Sequence, residues 1–201
     1  MEIHKNVTMR QFNNEVMKNQ KKLLATAILI ILGILFRTVW HLGPNVEFIT
    51  AGTLLAGIYL GLKYAIIVPL LTLGFTDLFL GNTNIFLFTW SGYIVIGYLS
   101  HLSHLSDLGR TTKILGATSL GIIAGLCFYL WTNFGVWLLD SFGMYPKTLS
   151  GLFQAYIMGL PFLEYNLLGN ILFIPSSFFF VEFAKTLKAA KFWSIKTENY
   201  P

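Results

Sequence analysis

Charged side chains are scarce in this sequence. Lys, Arg, Asp and Glu make up 11% of its 201 residues, and 55% of the residues are hydrophobic, whereas soluble proteins carry about 25% charged residues. A soluble domain of this length could not bury so much apolar surface. The composition therefore excludes an ordinary soluble protein and indicates a lipid bilayer as the solvent.

Cysteine, polar linkers and catalytic motifs are also lacking. The single cysteine, Cys127, lies in an apolar segment and provides no disulfide framework. No polar stretch is long enough to separate two domains, and no catalytic triad, nucleotide-binding loop or catalytic carboxylate pair occurs at a convincing spacing. His101, His104 and Asp107 could ligate a metal by spacing, but no further ligand lies near them. We therefore expect one domain with no enzymatic activity, no cofactor and no metal.

Six apolar segments meet or approach the roughly 20 residues that a spanning helix requires. They cover residues 23–40, 48–62, 64–80, 85–100, 114–139 and 160–187, of which the second and fourth are short. The predicted fold class is an all-α, polytopic membrane protein with six transmembrane helices in one bundle, located in the cell (inner) membrane. Residues 1–22 and 188–201 are predicted to be its basic cytoplasmic tails.

The cations indicate the orientation of this bundle. Twelve of the 14 Lys and Arg residues fall on one side if the amino terminus is inside, which leaves Lys147 outside and Arg37 within the first span. This asymmetry predicts that both termini are cytoplasmic. It also explains the net charge of +5 by topology and attraction to anionic lipids, so we expect no nucleic-acid partner.

Polar and aromatic residues gather near the outer ends of the predicted spans, while the inner halves are comparatively plain. His41, Asn82 and Asn84 are among them. The candidate substrate-binding residues are Arg37, Asn45, Asp77, Trp90, Trp131, Asn133, Trp137, Tyr145, Asn166 and Asn170. Their placement predicts a cup that opens outward.

Arg37 and Asp77 are the most costly members of this group. Ten Leu, Ile or Phe residues in the first span contribute roughly 3 to 6 kcal/mol of insertion energy, against about 2.5 to 3.5 kcal/mol for one Arg at mid-depth. Insertion therefore tolerates Arg37, but ionisable residues in spans usually have a function and a partner. Arg37 and Asp77 lie at similar depth, so they could pair with each other or meet a charge on a ligand.

The amides have two interpretations. Asn133 and Trp137 are four residues apart and share a helix face, and Asn166 and Asn170 repeat that spacing. Amides beside aromatic rings suit a pocket for a small, partly flat polar molecule. Alternatively, the Asn residues join helices to one another, and the Trp residues form an interfacial belt. For the cluster as a whole we favour the pocket.

Four stretches resemble a known group of proteins: GPNVEFITAGTLLAGIYLG, VPLLTLGFTDLFLGN, WTNFGVWLLDSFGMYPKTLSGL and GLPFLEYNLLGN. Over about residues 30–182 the chain is similar to an uncharacterised family of bacterial membrane proteins. That family is itself similar to the substrate-binding S components of energy-coupling factor (ECF) transporters.

The resemblance implies an S-component-like bundle that captures a vitamin or related micronutrient at an outward-facing site. It also implies partners, namely a transmembrane coupling subunit and two ATPase subunits that power uptake. Loops around Pro44 and Pro146 would act as lids over the ligand. Two alternatives remain open, a structural membrane scaffold and a stand-alone small-molecule permease.

Overall fold

The computed structural model describes residues 2–40, 42–81, 85–140 and 143–198. These residues form helices and turns without a strand, which confirms the predicted all-α class. The α-helices of the described residues are α1 (Glu2–Thr38), α2 (Ile49–Leu55), α3 (Leu62–Leu80), α4 (Phe86–Leu102), α5 (Arg110–Leu139) and α6 (Leu149–Glu198). A π-helical segment, Ala56–Leu60, extends α2, and a short 3₁₀ turn, Leu105–Asp107, precedes α5.

Short connections make successive helices alternate in direction. One end of the bundle contains the carboxyl ends of α1, α3 and α5 and the amino ends of α2, α4 and α6. We call this end the mouth. The base is the opposite end, where the π segment and α4 end and α3 and α5 begin. The mouth corresponds to the end at which the sequence predicts the outward-facing cup.

The second predicted span differs most from expectation. Its α-helical part has 7 residues, all of them buried, and its π part has 5. A helix of this length rises about 18 Å, whereas a bilayer core is about 30 Å thick. Small and apolar residues occur on every face of this helix, which is the pattern of a helix buried inside a protein. The segment is therefore the central element of the bundle rather than a full-length, lipid-facing span.

Two glycines shape the last part of this central helix: Gly57 allows close contact with α4, and Gly61 allows the helix to end. Gly57 lies so close to α4 that a Cβ atom there would be 1.7 Å from Ser100 Oγ. Gly61 has a φ of +106° with nothing within 4 Å of its Cβ position, so the backbone conformation itself requires glycine. Gly61 lets the chain reverse directly into α3, which begins at the next residue.

The outer helices are longer than the predicted spans. α1 has 37 residues and α6 has 50, so both run through the predicted boundaries at residues 22 and 187. α3 (Leu62–Leu80), α5 (Arg110–Leu139) and the Leu149–Leu187 part of α6 are long and apolar enough to cross a membrane. α4 has 17 residues, close to the predicted 85–100.

The GxxxG motif in α5 joins that helix to α6. A Cβ atom at Gly121 would lie 2.0 Å from Ile174 Cδ1, and one at Gly125 would lie 2.7 Å from Asn166 Oδ1. Small residues at this spacing let two helix backbones approach closely. At this motif the close packing is between two helices of the same chain.

We predict that Gly97→Ala destabilises the bundle. A Cβ atom at Gly97 would lie 2.4 Å from the backbone oxygen of Ala65, so α3 and α4 must move apart, at a cost of about 1–3 kcal/mol. Thermal unfolding in detergent, followed by tryptophan fluorescence, measures the loss. Gly109→Ala is the control, since nothing lies within 4 Å of its Cβ position; equal melting temperatures for the two variants would contradict the prediction.

Candidate functional site

Arg37 is the centre of a buried ionic cluster at the mouth. Its Nε lies 3.3 Å from Glu47 Oε1, and its Nη2 lies 3.1 Å from Asp77 Oδ1. Nη1 donates a hydrogen bond of 3.0 Å to Thr76 Oγ1. Trp90 Nε1 donates one of 2.9 Å to Asp77 Oδ2. We call these five residues the arginine cluster; they connect α1, the segment before α2, α3 and α4.

The cluster shows which contacts Arg37 and Asp77 make within the protein. The side chains of Arg37, Glu47 and Asp77 are 15%, 19% and 11% exposed, so all three are largely withdrawn from solvent. Arg37 and Asp77 are paired, which is one of the two possibilities that the sequence left open. Trp90 belongs to the same cluster through its indole N–H rather than standing apart as an aromatic wall.

A cavity of about 380 Å³ lies beside this cluster at the mouth. A hollow of about 40 Å³ adjoins it and shares Asn45, Phe128, Thr132, Asn133 and Phe162 with it. We call the two together the mouth cavity. Its volume lies in the range of about 300–1,000 Å³ that is typical of small-molecule sites.

Four of the predicted site residues line the mouth cavity, namely Asn45, Asn133, Tyr145 and Asn166. They come from four places in the chain: the segment after α1, helix α5, helix α6, and the loop between those two helices. Thr89 and Thr132 add hydroxyl groups, and Phe128, Val136, Met158 and Phe162 supply apolar wall. The cavity is thus amphipathic, with amides and hydroxyls set among apolar and aromatic side chains.

Asn133 reaches the cavity because α6 has a glycine opposite it. A Cβ atom at Gly159 would lie 2.3 Å from Asn133 Oδ1, so any side chain there would displace the amide. Asn133 Nδ2 donates to Tyr129 O, one turn earlier on α5, at 2.9 Å. That bond fixes the direction of the amide, whose oxygen is turned toward Gly159.

The two loops that were predicted as lids supply lining residues and are held in place. Asn45 has a φ of 59°, a left-handed conformation that Asn tolerates better than most residues. The next residue, Val46, packs closely on α6, because a Cβ at Gly169 would lie 3.2 Å from Val46 Cα. In the other loop, Asp140 Oδ1 accepts hydrogen bonds from the backbone N–H groups of Met144 and Tyr145.

Asn170 does not face the cavity. It is 2% exposed, and its Nδ2 donates to Gly121 O and to Asn166 Oδ1, both at 3.1 Å. This arrangement joins α5 to α6. The structure thus assigns Asn170 to the helix-joining interpretation, while its neighbour Asn166 both accepts that bond and lines the mouth cavity.

Trp131 and Trp137 lie away from the mouth cavity, although they share α5 with Asn133. Trp131 Nε1 donates to Ser91 Oγ at 2.9 Å, and its ring borders a separate apolar hollow of about 350 Å³ between α4 and α5. Trp137 Nε1 donates to Pro146 O at 3.0 Å, beside Lys147, whose Nζ donates to Trp137 O and Leu138 O. The four-residue spacing correctly places Asn133 and Trp137 near one another on α5, but they contact different neighbours.

Three further residues expected at the mouth, His41, Asn82 and Asn84, lie outside the described residues. Among those described, sequence reasoning did not select Thr132, Gly159 or Phe162 for the site. Thr132 adjoins Asn133, and Phe162 follows Gly159 by three residues on α6. Spacing alone gives little reason to separate such residues from ordinary packing residues.

The base of the bundle is more polar than the sequence suggests. Glu182 Oε1 accepts a hydrogen bond of 2.7 Å from Tyr59 and lies 3.3 Å from Lys113 Nζ and 2.9 Å from Lys185 Nζ. Lys113 is only 5% exposed, and lysines are rarely buried to this extent unless they are paired. We call these four residues the base cluster; it joins the π segment to α5 and α6. This cluster was not anticipated from the inner halves of the predicted spans, which are comparatively plain in sequence.

One family model matches residues 17–192, and its description is a family of unknown function, DUF6580. The chain belongs to the DUF6580 family. No curated protein and no solved structure matches it. The match includes every residue that this DUF6580 protein contributes to the mouth cavity, the arginine cluster and the base cluster.

We predict that Arg37→Gln strongly destabilises the protein. The substitution leaves Glu47 and Asp77 close together without their shared cation, and breaking a buried pair in this way costs about 3–5 kcal/mol. Thermal unfolding of the purified protein in detergent measures the effect. Lys63→Gln removes an exposed cation and is the control; a melting temperature for Arg37→Gln equal to that of the control would show that the cluster contributes no stability.

Proposed function

We propose that this DUF6580 protein is a membrane-embedded, substrate-capturing subunit of a small-molecule importer of the ECF type. In this proposal six helical segments form the membrane domain, and the mouth faces outward. A coupling subunit and two ATPases would complete the importer. The observation that carries the proposal is the amphipathic mouth cavity. It is lined by the segment after α1, by α4, α5 and α6, and by the loop between α5 and α6.

The distribution of cations supports the outward orientation. Lys22, Lys63, Arg110 and Lys113 lie near the base, whereas Lys147 is the cation of the mouth loops. Under the positive-inside rule, this distribution supports a base that faces the cytoplasm. A capture site is useful to an importer only if it can be reached from outside, and the mouth cavity meets that requirement in this orientation.

The arginine cluster supports a preformed site. It connects four elements at the mouth through ion pairs and hydrogen bonds between 2.9 and 3.3 Å. Its charges are directed at one another, so the cluster positions the helix ends without occupying the cavity. A cavity that is largely formed before the ligand arrives loses less binding free energy to ordering.

Ligand capture is tested by native mass spectrometry of the gently purified protein. We expect a small molecule to remain bound to the wild type and to be lost from Asn133→Leu and from Gly159→Ala, because both changes remove the Asn133 amide from its position. Ile123→Ala, which alters the apolar hollow between α4 and α5, is the control and should keep the ligand.

Two outcomes would contradict this assignment. If the two cavity variants retain the ligand as the control does, the molecule binds elsewhere. If nothing binds to the wild type, and cavity substitutions are silent in cells, the structural scaffold becomes the better account.

A stand-alone permease is the second candidate, and the base cluster is the observation that favours it. A permease must offer polar groups on the inner side as well as the outer one. Tyr59, Lys113 and Glu182 form such a group next to the π segment, a kind of segment that often occurs at functional sites.

Uptake measurements separate the two candidates. We expect uptake of the captured molecule by cells to stop when ATP is depleted while the ion gradient is maintained, and to require the coupling and ATPase subunits. Dissipating the gradient with ATP present is the matched control. Uptake that continues without ATP and follows the gradient would identify the permease instead.

A further inference from the structure

The described lining of the mouth cavity contains no carboxylate, ammonium, guanidinium or imidazole group. Its polar members carry amides, aliphatic hydroxyls and phenols: Asn45, Thr89, Tyr129, Thr132, Asn133 and Asn166, together with Tyr145. A pocket of this composition can donate and accept hydrogen bonds. These described lining residues offer no full charge to a ligand.

Apart from Glu164, the described charged residues near the mouth have structural partners of their own. Arg37 is shared between Glu47 and Asp77. Asp140 accepts two backbone N–H groups of the loop that follows α5, and Lys147 donates to carbonyl groups at the end of α5. Glu164 is exposed on α6 and is not part of the cavity lining. Recruiting any of the paired groups to a ligand would break a contact that holds the mouth together.

From this arrangement we infer that the ligand of the mouth cavity is an uncharged, amphiphilic molecule that bears hydrogen-bonding groups. Its apolar part lies against Phe128, Val136, Met158 and Phe162, and its polar groups meet the amides and hydroxyls. The inference rests on the proposed function and deepens it by naming the chemical class of the substrate. It also replaces the earlier alternative that Arg37 or Asp77 meets a charge on the ligand.

The physical reason is the cost of desolvation. An ion that leaves water for a largely apolar cavity loses its hydration, and only a nearby opposite charge can compensate. Neutral amides and hydroxyls compensate well for the hydration of neutral polar groups, because they replace one hydrogen bond with another. The cavity should therefore discriminate against ions of either sign.

The first test identifies the molecule that remains bound to the wild-type protein and is lost from Asn133→Leu. Mass spectrometry gives its composition, and electrophoretic mobility at pH 7 gives its charge. A neutral molecule supports the inference. A molecule that is charged at pH 7, yet requires Asn133, overturns the inference and leaves the proposed capture function intact.

A second test introduces a charge into the cavity. Asn133→Asp places a carboxylate at the same position with almost no change of size. We expect the captured molecule to bind about 100-fold more weakly or worse, because a neutral ligand would strip water from the carboxylate without supplying an opposite charge. Asn13→Asp makes the same change on the exposed part of α1 and should have no effect. Tighter binding to Asn133→Asp would reveal a cationic ligand and overturn the inference.

A third test uses three probes of similar shape, benzamide, benzoate and benzamidine, which are neutral, anionic and cationic at pH 7. At equal concentrations we expect benzamide alone to raise the melting temperature of the wild type, and Asn133→Leu to remove that effect. Stabilisation by a charged probe that Asn133→Leu abolishes would overturn the inference. If no probe binds and no molecule co-purifies, the capture function fails, and the inference fails with it.

Discussion

The pairing of one guanidinium with two carboxylates organises the mouth of this protein. Arg37 lies at the end of α1, Glu47 just before α2, and Asp77 near the end of α3, so the ion pairs hold three separate parts of the chain at one level. Trp90 extends the contact to α4 through Asp77. Buried charges are costly unless they are paired and hydrogen-bonded, so these residues have few alternative arrangements. Asn45 and Thr89, which line the mouth cavity, are close in sequence to Glu47 and Trp90 of this cluster.

Close helix packing on the other side of the cavity has a different origin. Gly121 and Gly125 bring α5 against α6, and Asn170 donates across the junction to the backbone of Gly121. Gly159 leaves room for the Asn133 amide in the same interface. Small residues therefore have two effects here: they shorten the distance between helices, and they let an amide turn toward an internal space.

The central helix connects the two ends of the bundle. α2 is surrounded by the other helices, and its π-helical extension ends at the base cluster through Tyr59 and Glu182. Polar groups therefore lie at both ends, with a core that includes Leu54, Ile174 and Phe178 between them. The two candidate functions give the base cluster different roles. In an ECF-type capture subunit it would be a structural junction, and in a permease it would be part of the path of the transported molecule.

Composition and apolar patterning determined much of this protein without coordinates. The shortage of charge predicted long apolar helices, and three helices are long and apolar enough to cross a membrane. The apolar runs located α3 and α4 to within about two residues at each end. The polar residues near the outer ends of the predicted spans also indicated which end of the bundle is the mouth. These properties are local, because hydropathy and helix-forming residues act over a few turns of chain.

Tertiary structure alone decided what each polar side chain contacts. Asn133, Asn166 and Asn170 have similar sequence surroundings, yet Asn170 joins two helices while Asn133 lines a cavity. The difference depends on how each helix is rotated and on whether a glycine faces the amide from another helix. The full burial of α2 likewise depends on neighbours that come from distant parts of the chain. Helical periodicity predicts which residues share a helix face. Which helix or cavity that face contacts depends on the assembled bundle.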